Sequence, residues 1–338
     1  MMVYLDNKNK PMVWRSYRTH PPVASVPIEK AKLCHFIDIL PDNNKKPFIH
    51  EIQHVLFVAG MSKDYMARLK QAPRIEQRYR SENCKAIFCP AVPILEQVGR
   101  HINISGIEDK LHLVLPAYPA QPDNPHEHTG PFTILTISNK FWGRGVPLAI
   151  DAFRTLRKKY GSAVQMKLVC EDVPNGYPLV DGLELIEARR LDGKLRSKLY
   201  QEASAFLLLS LHESGVVLET MAHGVPTVST PVGGGSWAIP GQTGFIVEPP
   251  FHLYGEGFGT MWKTWDQFQS IVKTKFERGE LAYMVTEAVA HIELLMNNPT
   301  LVKKMGHAAQ AHQRERHSFV PHNEQVRKIY TDILERMI

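Results

Sequence analysis

The sequence predicts an α/β fold with two doubly wound domains, and three observations predict it. From residue 131 onward, short apolar runs alternate with amphipathic stretches of helical length in the order βαβαβαβ. Strands joined by connections of that length run parallel, and the continuous apolar run at 205–209 suits a strand covered on both faces. A fainter alternation of the same kind precedes residue 117. Because 338 residues can bury more than one core, we expect two domains.

A linker separates the two patterned regions. Residues 117–131, AYPAQPDNPHEHTGP, are rich in Pro, Asp, Asn and Gly, as is typical of inter-domain segments. We therefore predict a reduced N-terminal α/β domain over 1–120 and a ligand-binding domain over 125–315. Residues 251–279 break the alternation with two Trp, four Phe and one Tyr, and we interpret them as an insertion. A packed flap is its default role, with an interaction surface or part of a substrate site as alternatives.

Composition narrows the class of protein. The apolar runs fall far short of the roughly 20 residues that span a bilayer, which excludes a transmembrane chain. The opening residues lack the basic start and apolar stretch of a secretory signal, so we expect a cytoplasmic protein. Four cysteines are too scattered for a disulfide framework or a CxxC motif, and we expect reduced, buried thiols.

Positive charge is concentrated at the start of the chain. Residues 1–118 contain 17 Lys or Arg and 11 Asp or Glu, which accounts for the whole formal charge of +6. Such a surface attracts nucleic acid, an anionic membrane surface or a phosphorylated molecule, while a merely solvated basic face is an equal alternative. The sequence lacks a helix-turn-helix, zinc-finger or aromatic RNA-binding motif, so we expect no nucleic acid. Peripheral association with a membrane stays open.

One stretch, residues 207–250, carries most of the chemistry. An apolar strand runs into a short loop, and a helix begins near Val216 with the N–H groups of its first turn unsatisfied. Those groups and the helix dipole favour a diphosphate. Gly215 permits close approach of the backbone to a ligand, and Glu219, one turn further on, reaches a ribose. A glycine-rich turn at 232–236 adds further amides, although either turn alone is more often a simple connection.

A resemblance follows from these residues. LETMAHGVPTVSTPVGG at 218–234 resembles the donor-binding signature LEAMACGxPVVxxxxGG of family 4 glycosyltransferases, which are retaining enzymes of the two-domain, Rossmann-like GT-B fold. The similarity extends upstream to FTILTISNKFWGRGVPLAIDAF at 132–153 and covers about 110–338 in all. It implies metal-independent transfer of a sugar from a nucleotide-diphosphate donor to an acceptor hydroxyl. It also implies that a last helix, 318–338, crosses back to the N-terminal domain.

The resemblance implies roles for individual residues. Glu219 is similar to the glutamate that holds the donor ribose, and Glu213 to the one that contacts the transferred sugar. Arg144 occupies the position of a lysine that neutralises the diphosphate; Asn139 stands where an arginine is expected, and Lys140 is the proposed substitute. The other implied donor-binding residues are Ser214, Gly215, Val216, Gly233 and Gly234.

The smaller domain contributes a candidate histidine. His54 is the best match to a histidine that the family presents toward the transferred sugar, with His50 behind it and His35 at another predicted strand end. A lone histidine at such a position is often structural. The sequence contains no Asp-x-Asp pair, HExxH or Cys/His zinc spacing, so we expect no metal and no cofactor beyond the nucleotide-sugar co-substrate.

Three departures from the family pattern leave an alternative open. Asn139 stands where an arginine is expected, only five residues separate Glu213 from Glu219, where the family has seven, and residues 1–32 show no opening βαβ units. A catalytically impaired, nucleotide-sugar-binding partner subunit of a glycosyltransferase complex fits these departures. A sugar-nucleotide epimerase fits the signature less well. The sequence leaves open the base and sugar of the donor, the oligomeric state, and whether the acceptor is phosphorylated or membrane-associated.

Overall fold

The structure, a computed structural model, divides the chain into two compact units. One unit comprises 1–116 with 323–338, and the other comprises 117–322. The assignment of an acceptor side to 1–120 and a donor side to 125–315 stays a prediction. The described residues are 32–37, 45–52, 70, 72–122, 130–212, 214–232, 237–253, 255 and 261–337.

Within its described residues, the first unit holds a four-stranded parallel sheet in the order β1-β2-β3-β4. Its strands are Cys34–Ile37 (β1), Phe48–Glu51 (β2), Cys84–Cys89 (β3) and Leu111–Leu113 (β4). Two helices accompany them, Ala72–Arg80 (α1) and Val92–His101 (α2). Helix α2 begins after extended Ala91 and has a proline in its first turn. Proline is tolerated there because the N–H groups of the first turn make no hydrogen bond within the helix, so the N–H that proline lacks is not needed.

The last helix of the chain completes the core of the first unit. Its C-terminal part buries Ile333, which packs in one cluster with Ile49 and Phe88 from the sheet. Tyr330 packs against the same cluster, and its hydroxyl lies 2.5 Å from Nδ1 of buried His35. The helix, Phe319–Glu335, is numbered α9 in chain order.

The described part of the second unit contains a six-stranded parallel sheet in the order β10-β9-β8-β5-β6-β7. The strand order reverses where β5 pairs with β8, in register from Ile134 with Ala205. The strands are Phe132–Ser138 (β5), Val164–Cys170 (β6), Leu183–Glu187 (β7), Ala205–Leu208 (β8), Thr227–Ser229 (β9) and Gly244–Ile246 (β10). The helices are Val146–Tyr160 (α3), Gly193–Glu202 (α4), Val216–Ala222 (α5), Trp265–Glu277 (α6), Ala282–Met296 (α7) and Pro299–His317 (α8).

The predicted α/β class with parallel sheets is confirmed. β8 is buried at every position, as its continuous apolar run predicts for a central parallel strand. Two strands were not predicted. β7 lies at the sheet edge with half-exposed residues, and β10 has only three residues, so neither has a clear apolar pattern. The sequence predicts a strand over the apolar run at 205–209, but the strand ends at Leu208 and the chain continues as a buried loop.

The packing of α9 can be tested with two neighbouring positions. Ile333 is 8% exposed and Leu334 is 40% exposed, so both lose a similar side chain on change to Ala but only one leaves a cavity. We expect Ile333→Ala to lower the free energy of unfolding by about 2–4 kcal/mol and Leu334→Ala by less than about 1 kcal/mol. Urea unfolding followed by circular dichroism measures both. Equal losses would show that α9 does not enter the core.

Candidate functional site

The candidate site lies at the point where the strand order of the second sheet reverses. In open α/β sheets, ligands bind outside the carboxyl ends of the strands at such a switch point. β5 ends at Ser138 and β8 ends at Leu208, and these two strands pair at the reversal. The loops that follow them, 139–145 and 209–215, are the two in which the sequence placed its basic and amide-bearing residues.

The two loops are joined by backbone contacts. The N–H of Leu211 donates to the carbonyl of Gly143 over 3.2 Å. Gly145 has a positive φ of 64° and caps the start of α3. A Cβ at Gly145 would lie 1.9 Å from the carbonyl oxygen of Leu209, so no other residue fits there without displacement of one loop. The loop that carries Arg144 is therefore held directly against the loop that leads to α5.

The segment 251–279 supports this pair of loops through hydrogen bonds. The N–H of Leu253 donates to the carbonyl of Leu211 over 2.9 Å. The indole Nε1 of Trp262 donates in turn to the carbonyl of Leu253 over 2.7 Å, and the Trp262 side chain is fully buried. These bonds fix the described start of the segment beneath the loop after β8.

Trp265, the first residue of α6, contacts both loops with its ring. Its centroid lies 4.9 Å from that of His212 in an edge-on arrangement. A Cβ on Gly143 would lie 2.6 Å from the Trp265 ring. The described aromatic residues of this segment thus pack against their neighbours, which is the default role that the sequence analysis gave them. The segment also contains helix α6, which its irregular sequence pattern did not predict.

The two predicted cations differ in their surroundings. Arg144 is half-buried between two glycines in the tight loop. Lys140 is more exposed, and its Nζ lies 3.4 Å from Oδ2 of Asp172, with 42% and 39% of the side chains accessible. The hydroxyl of Ser138 orders the turn at this point because it donates to the carbonyl of Lys140 over 2.8 Å and accepts from its N–H over 3.2 Å.

Helix α5 begins at Val216, as predicted. Gly215 stands in the N-cap position with right-handed backbone angles, so its own conformation does not demand glycine. No described atom lies within 4 Å of a Cβ built at Gly215, and this leaves space beside the first amides of the helix. Ser214, by contrast, is buried. The predicted amide-bearing turn is therefore present, with room next to it.

Glu219 lies in a buried polar network that the sequence did not predict. Its Oε2 accepts hydrogen bonds from Nη1 of Arg196 over 2.5 Å and from the hydroxyl of Tyr200 over 3.0 Å. The Tyr200 ring stacks on His223, with centroids 4.7 Å apart and planes 17° from parallel. Burial and the nearby carboxylate raise the pKa of Tyr200 well above 10, so its hydroxyl keeps its proton. The sequence analysis did not predict this network because no short-range sequence spacing connects α4 to Glu219.

Several predicted residues are not brought to the site or cannot be placed. The expectation that His35 and His50 stand at strand ends is wrong, since both lie inside strands and are buried. Nε2 of His35 lies 3.3 Å from Oε2 of Glu51, and Nδ1 of His50 lies 2.7 Å from the hydroxyl of Tyr79, which ties both rings to the core. The predicted residues outside the described part of the chain are His54, Glu213, Gly233 and Gly234.

The described residues offer no cluster of three or more His, Cys, Asp or Glu side chains suited to a metal ion. All four cysteines are described, buried and free of disulfides, and burial raises the pKa of Cys84 and of Cys89 to about 12. Thiols of this kind are poor nucleophiles at neutral pH. Across the described ranges, no helix has the length and apolar content needed to cross a membrane.

Comparison with known proteins finds a family match within the second unit. The profile of the family described as "Glycosyl transferases group 1" matches residues 131–252, which span β5 to β10 and both loops of the site. This stretch is a glycosyltransferase domain. The predicted enzyme class, a glycosyltransferase, is confirmed. A search of curated proteins gave no significant match to the sequence.

Solved structures share the fold of this glycosyltransferase at low sequence identity. A glycosyltransferase from Rickettsia africae is 14% identical with a TM-score of 0.58, over 90% of this chain and 78% of its own. TarM from S. aureus, in a complex that includes UDP, is 11% identical with a TM-score of 0.60, over 89% of this chain and 55% of its own. Anabaena HepE, in complex with UDP-glucose, is 13% identical with a TM-score of 0.56, over 90% and 80%.

These likenesses confirm the predicted GT-B-like fold with two Rossmann-like domains. The reduced size of the N-terminal domain stays a prediction. The chain spans little more than half the length of TarM, so the activity of that whole protein is no guide to this one.

The close fit of the two loops predicts a specific effect at Gly145. Gly145→Ala places a methyl group against the Leu209 carbonyl, whereas Gly279→Ala, with a similar φ of 73°, meets no described atom within 4 Å. We expect Gly279→Ala to lower the free energy of unfolding by only about 1–2 kcal/mol, the strain of a left-handed alanine, and Gly145→Ala by more than this. Near-ultraviolet circular dichroism should also change only in Gly145→Ala, because Trp142 belongs to the displaced loop and Trp265 packs on it. Identical spectra and stabilities would contradict the tight contact.

Proposed function

We propose that the chain transfers a sugar from a nucleoside-diphosphate donor to an acceptor hydroxyl, with retention of anomeric configuration and without a metal ion. The observation that carries the proposal is the arrangement at the β5–β8 switch point, where the loop with Lys140 and Arg144 contacts the loop that leads into α5. The family match over 131–252 and the UDP or UDP-glucose in similar proteins support a donor of this class.

The diphosphate is proposed to bind between the amides of Ser214, Gly215 and Val216 and the two cations. An N-terminal helical turn and fixed positive side chains stabilise the charge that develops on a departing nucleoside diphosphate. Lys140 can turn to a phosphate at low cost, since an exposed pair such as that with Asp172 is worth only about 0–1 kcal/mol. Positive charge from the protein then takes the place of a divalent cation.

Glu219 is proposed to accept hydrogen bonds from the ribose hydroxyls. It lies three residues beyond Val216, about 4.5 Å along the axis of α5, which separates it from the phosphate-binding amides. Glu213 and His54 are proposed to contact the transferred sugar. The departing phosphate takes the proton of the acceptor hydroxyl, so the reaction does not require a strong protein base.

The ribose role of Glu219 is tested by substitution. A thermal-shift screen of UDP, GDP and ADP identifies the nucleotide that binds, and calorimetry then gives its Kd. We expect Glu219→Gln to weaken binding by about tenfold to a hundredfold, the value of hydrogen bonds to a charged acceptor. Glu202→Gln, which alters a carboxylate at the C-terminal end of α4 that pairs with Lys167 and not with α5, should leave the Kd unchanged. An unaltered Kd in folded Glu219→Gln would remove Glu219 from the donor site.

Metal independence is tested by chelation. Addition of EDTA should change neither the Kd of the nucleotide nor the rate at which sugar is released from its donor without acceptor, because Lys140 and Arg144 supply the charge. Binding that is lost in EDTA and restored by Mg²⁺ or Mn²⁺ would refute a metal-free site. Sugar release also separates an enzyme from a subunit that only binds the donor, since the latter should release none.

A further inference from the structure

Glu219 differs from the other acidic residues that the structure describes. Of the Asp and Glu side chains that the structure describes, only that of Glu219 is buried, with 9% of the residue exposed. Carboxylates are almost never buried unless they are paired, because they lose their hydration. Neither solubility nor helix propensity therefore explains why a glutamate is buried at position 219.

Two donors hold a single oxygen of this carboxylate. Arg196 and Tyr200 lie four residues apart on α4, so they project from the same face of the helix one turn apart. Both donate to Oε2 of Glu219, and the Arg196 and Glu219 side chains are only 14% and 11% exposed. Contact from two directions fixes the rotation of the carboxylate about its last bond, which a single ion pair does not.

The donors are themselves held in place. Tyr200 is fully buried and stacks on His223, the residue that ends α5, and the N–H of His223 donates to the carbonyl of Glu219 over 3.2 Å. The raised pKa of Tyr200 keeps its hydroxyl a donor at all physiological pH values. The network therefore links the face of α4 to the middle and to the C-terminal end of the short helix that carries Glu219.

Stability alone is a poor explanation for this network. Replacement of a buried ion pair by apolar residues of similar size is often neutral or stabilising, so such a pair is weak grounds for inferring a structural role. A functional carboxylate, in contrast, gains from an orientation that is set before the ligand arrives.

We propose that Arg196 and Tyr200 are positioning residues that hold the Glu219 carboxylate in the orientation in which it accepts the ribose hydroxyls of the donor. This inference rests on the proposed function and adds to it two residues of α4 that lie outside the 218–234 signature. It assigns them no contact with the donor. They act through Glu219, and their loss should be felt at the ribose and not at the base or the diphosphate.

The experiment measures discrimination between ribose and deoxyribose. The readout is the ratio of the Kd of the 2′-deoxynucleoside diphosphate to that of the ribonucleoside diphosphate, dUDP and UDP if the uridine nucleotide binds. A merely structural role would weaken both ligands equally and leave this ratio unchanged. We expect wild type to prefer UDP by about tenfold or more, as for loss of one hydrogen bond to a charged group. Tyr200→Phe and Arg196→Gln should bring the ratio close to one, and Arg196→Lys should recover part of it.

Matched controls are available in the same unit. Arg157 pairs with Asp181 over 2.6 Å, and Tyr283 donates to the carbonyl of Glu248 over 2.8 Å, both away from α5. Arg157→Gln and Tyr283→Phe should keep the wild-type ratio. Tyr200→Phe preserves the buried ring, so it provides the test even if Arg196→Gln fails to fold.

The outcomes separate this inference from the function on which it rests. If Glu219→Gln loses the preference for UDP while Tyr200→Phe and Arg196→Lys both keep the full preference, the positioning role is refuted and the donor site stands. If Arg196→Gln weakens UDP and dUDP by the same factor, Arg196 either has a merely structural role or contacts the donor elsewhere, and the inference is again overturned. If wild type binds no nucleoside diphosphate, or binds UDP and dUDP equally, the proposed function itself fails.

Discussion

The parallel pairing of β5 with β8 is the constraint on which the rest of the second unit depends. Each strand leads at its carboxyl end into a loop, and because the strand order reverses between them, no other strand separates those loops. The basic residues after β5 and the amides before α5 therefore meet at the carboxyl ends of these two central strands, although about 70 residues of chain lie between them. A sheet with the same strands in another order would place the two loops apart.

Glycine at two positions allows the neighbouring chain segments to touch the loop after β5. Gly145 approaches the Leu209 carbonyl more closely than any side chain allows, and Gly143 leaves space for the ring of Trp265. The aromatic segment after β10 contacts the loop after β8 through the N–H of Leu253 and the ring of Trp265. The loops are thus held by packing contacts with this segment. The proposed diphosphate site would benefit, since electrostatic stabilisation is strongest when the groups need no rearrangement.

Burial of Glu219 reflects the same principle in a different form. Its carboxylate carries two hydrogen bonds from α4, whereas Lys140 keeps an exposed and weak pair with Asp172. One group is held rigidly and the other is left adjustable. In the proposed function, the ribose hydroxyls have a set geometry that suits the fixed acceptor Glu219, whereas the diphosphate tolerates the mobile point charge of Lys140.

The sequence by itself determined the alternation of strands and helices, the parallel sheets, the start of α5 and the two loops that carry Lys140, Arg144 and Gly215. These follow from local periodicity and from glycine, which act over a few residues. It missed β7 and β10, where exposure or shortness removes the apolar pattern. It also placed His35 at a strand end, although His35 lies inside β1. Only the tertiary structure decided that α4 pairs with Glu219, because hydrogen bonds across elements depend on strand order and on distances that no local pattern encodes.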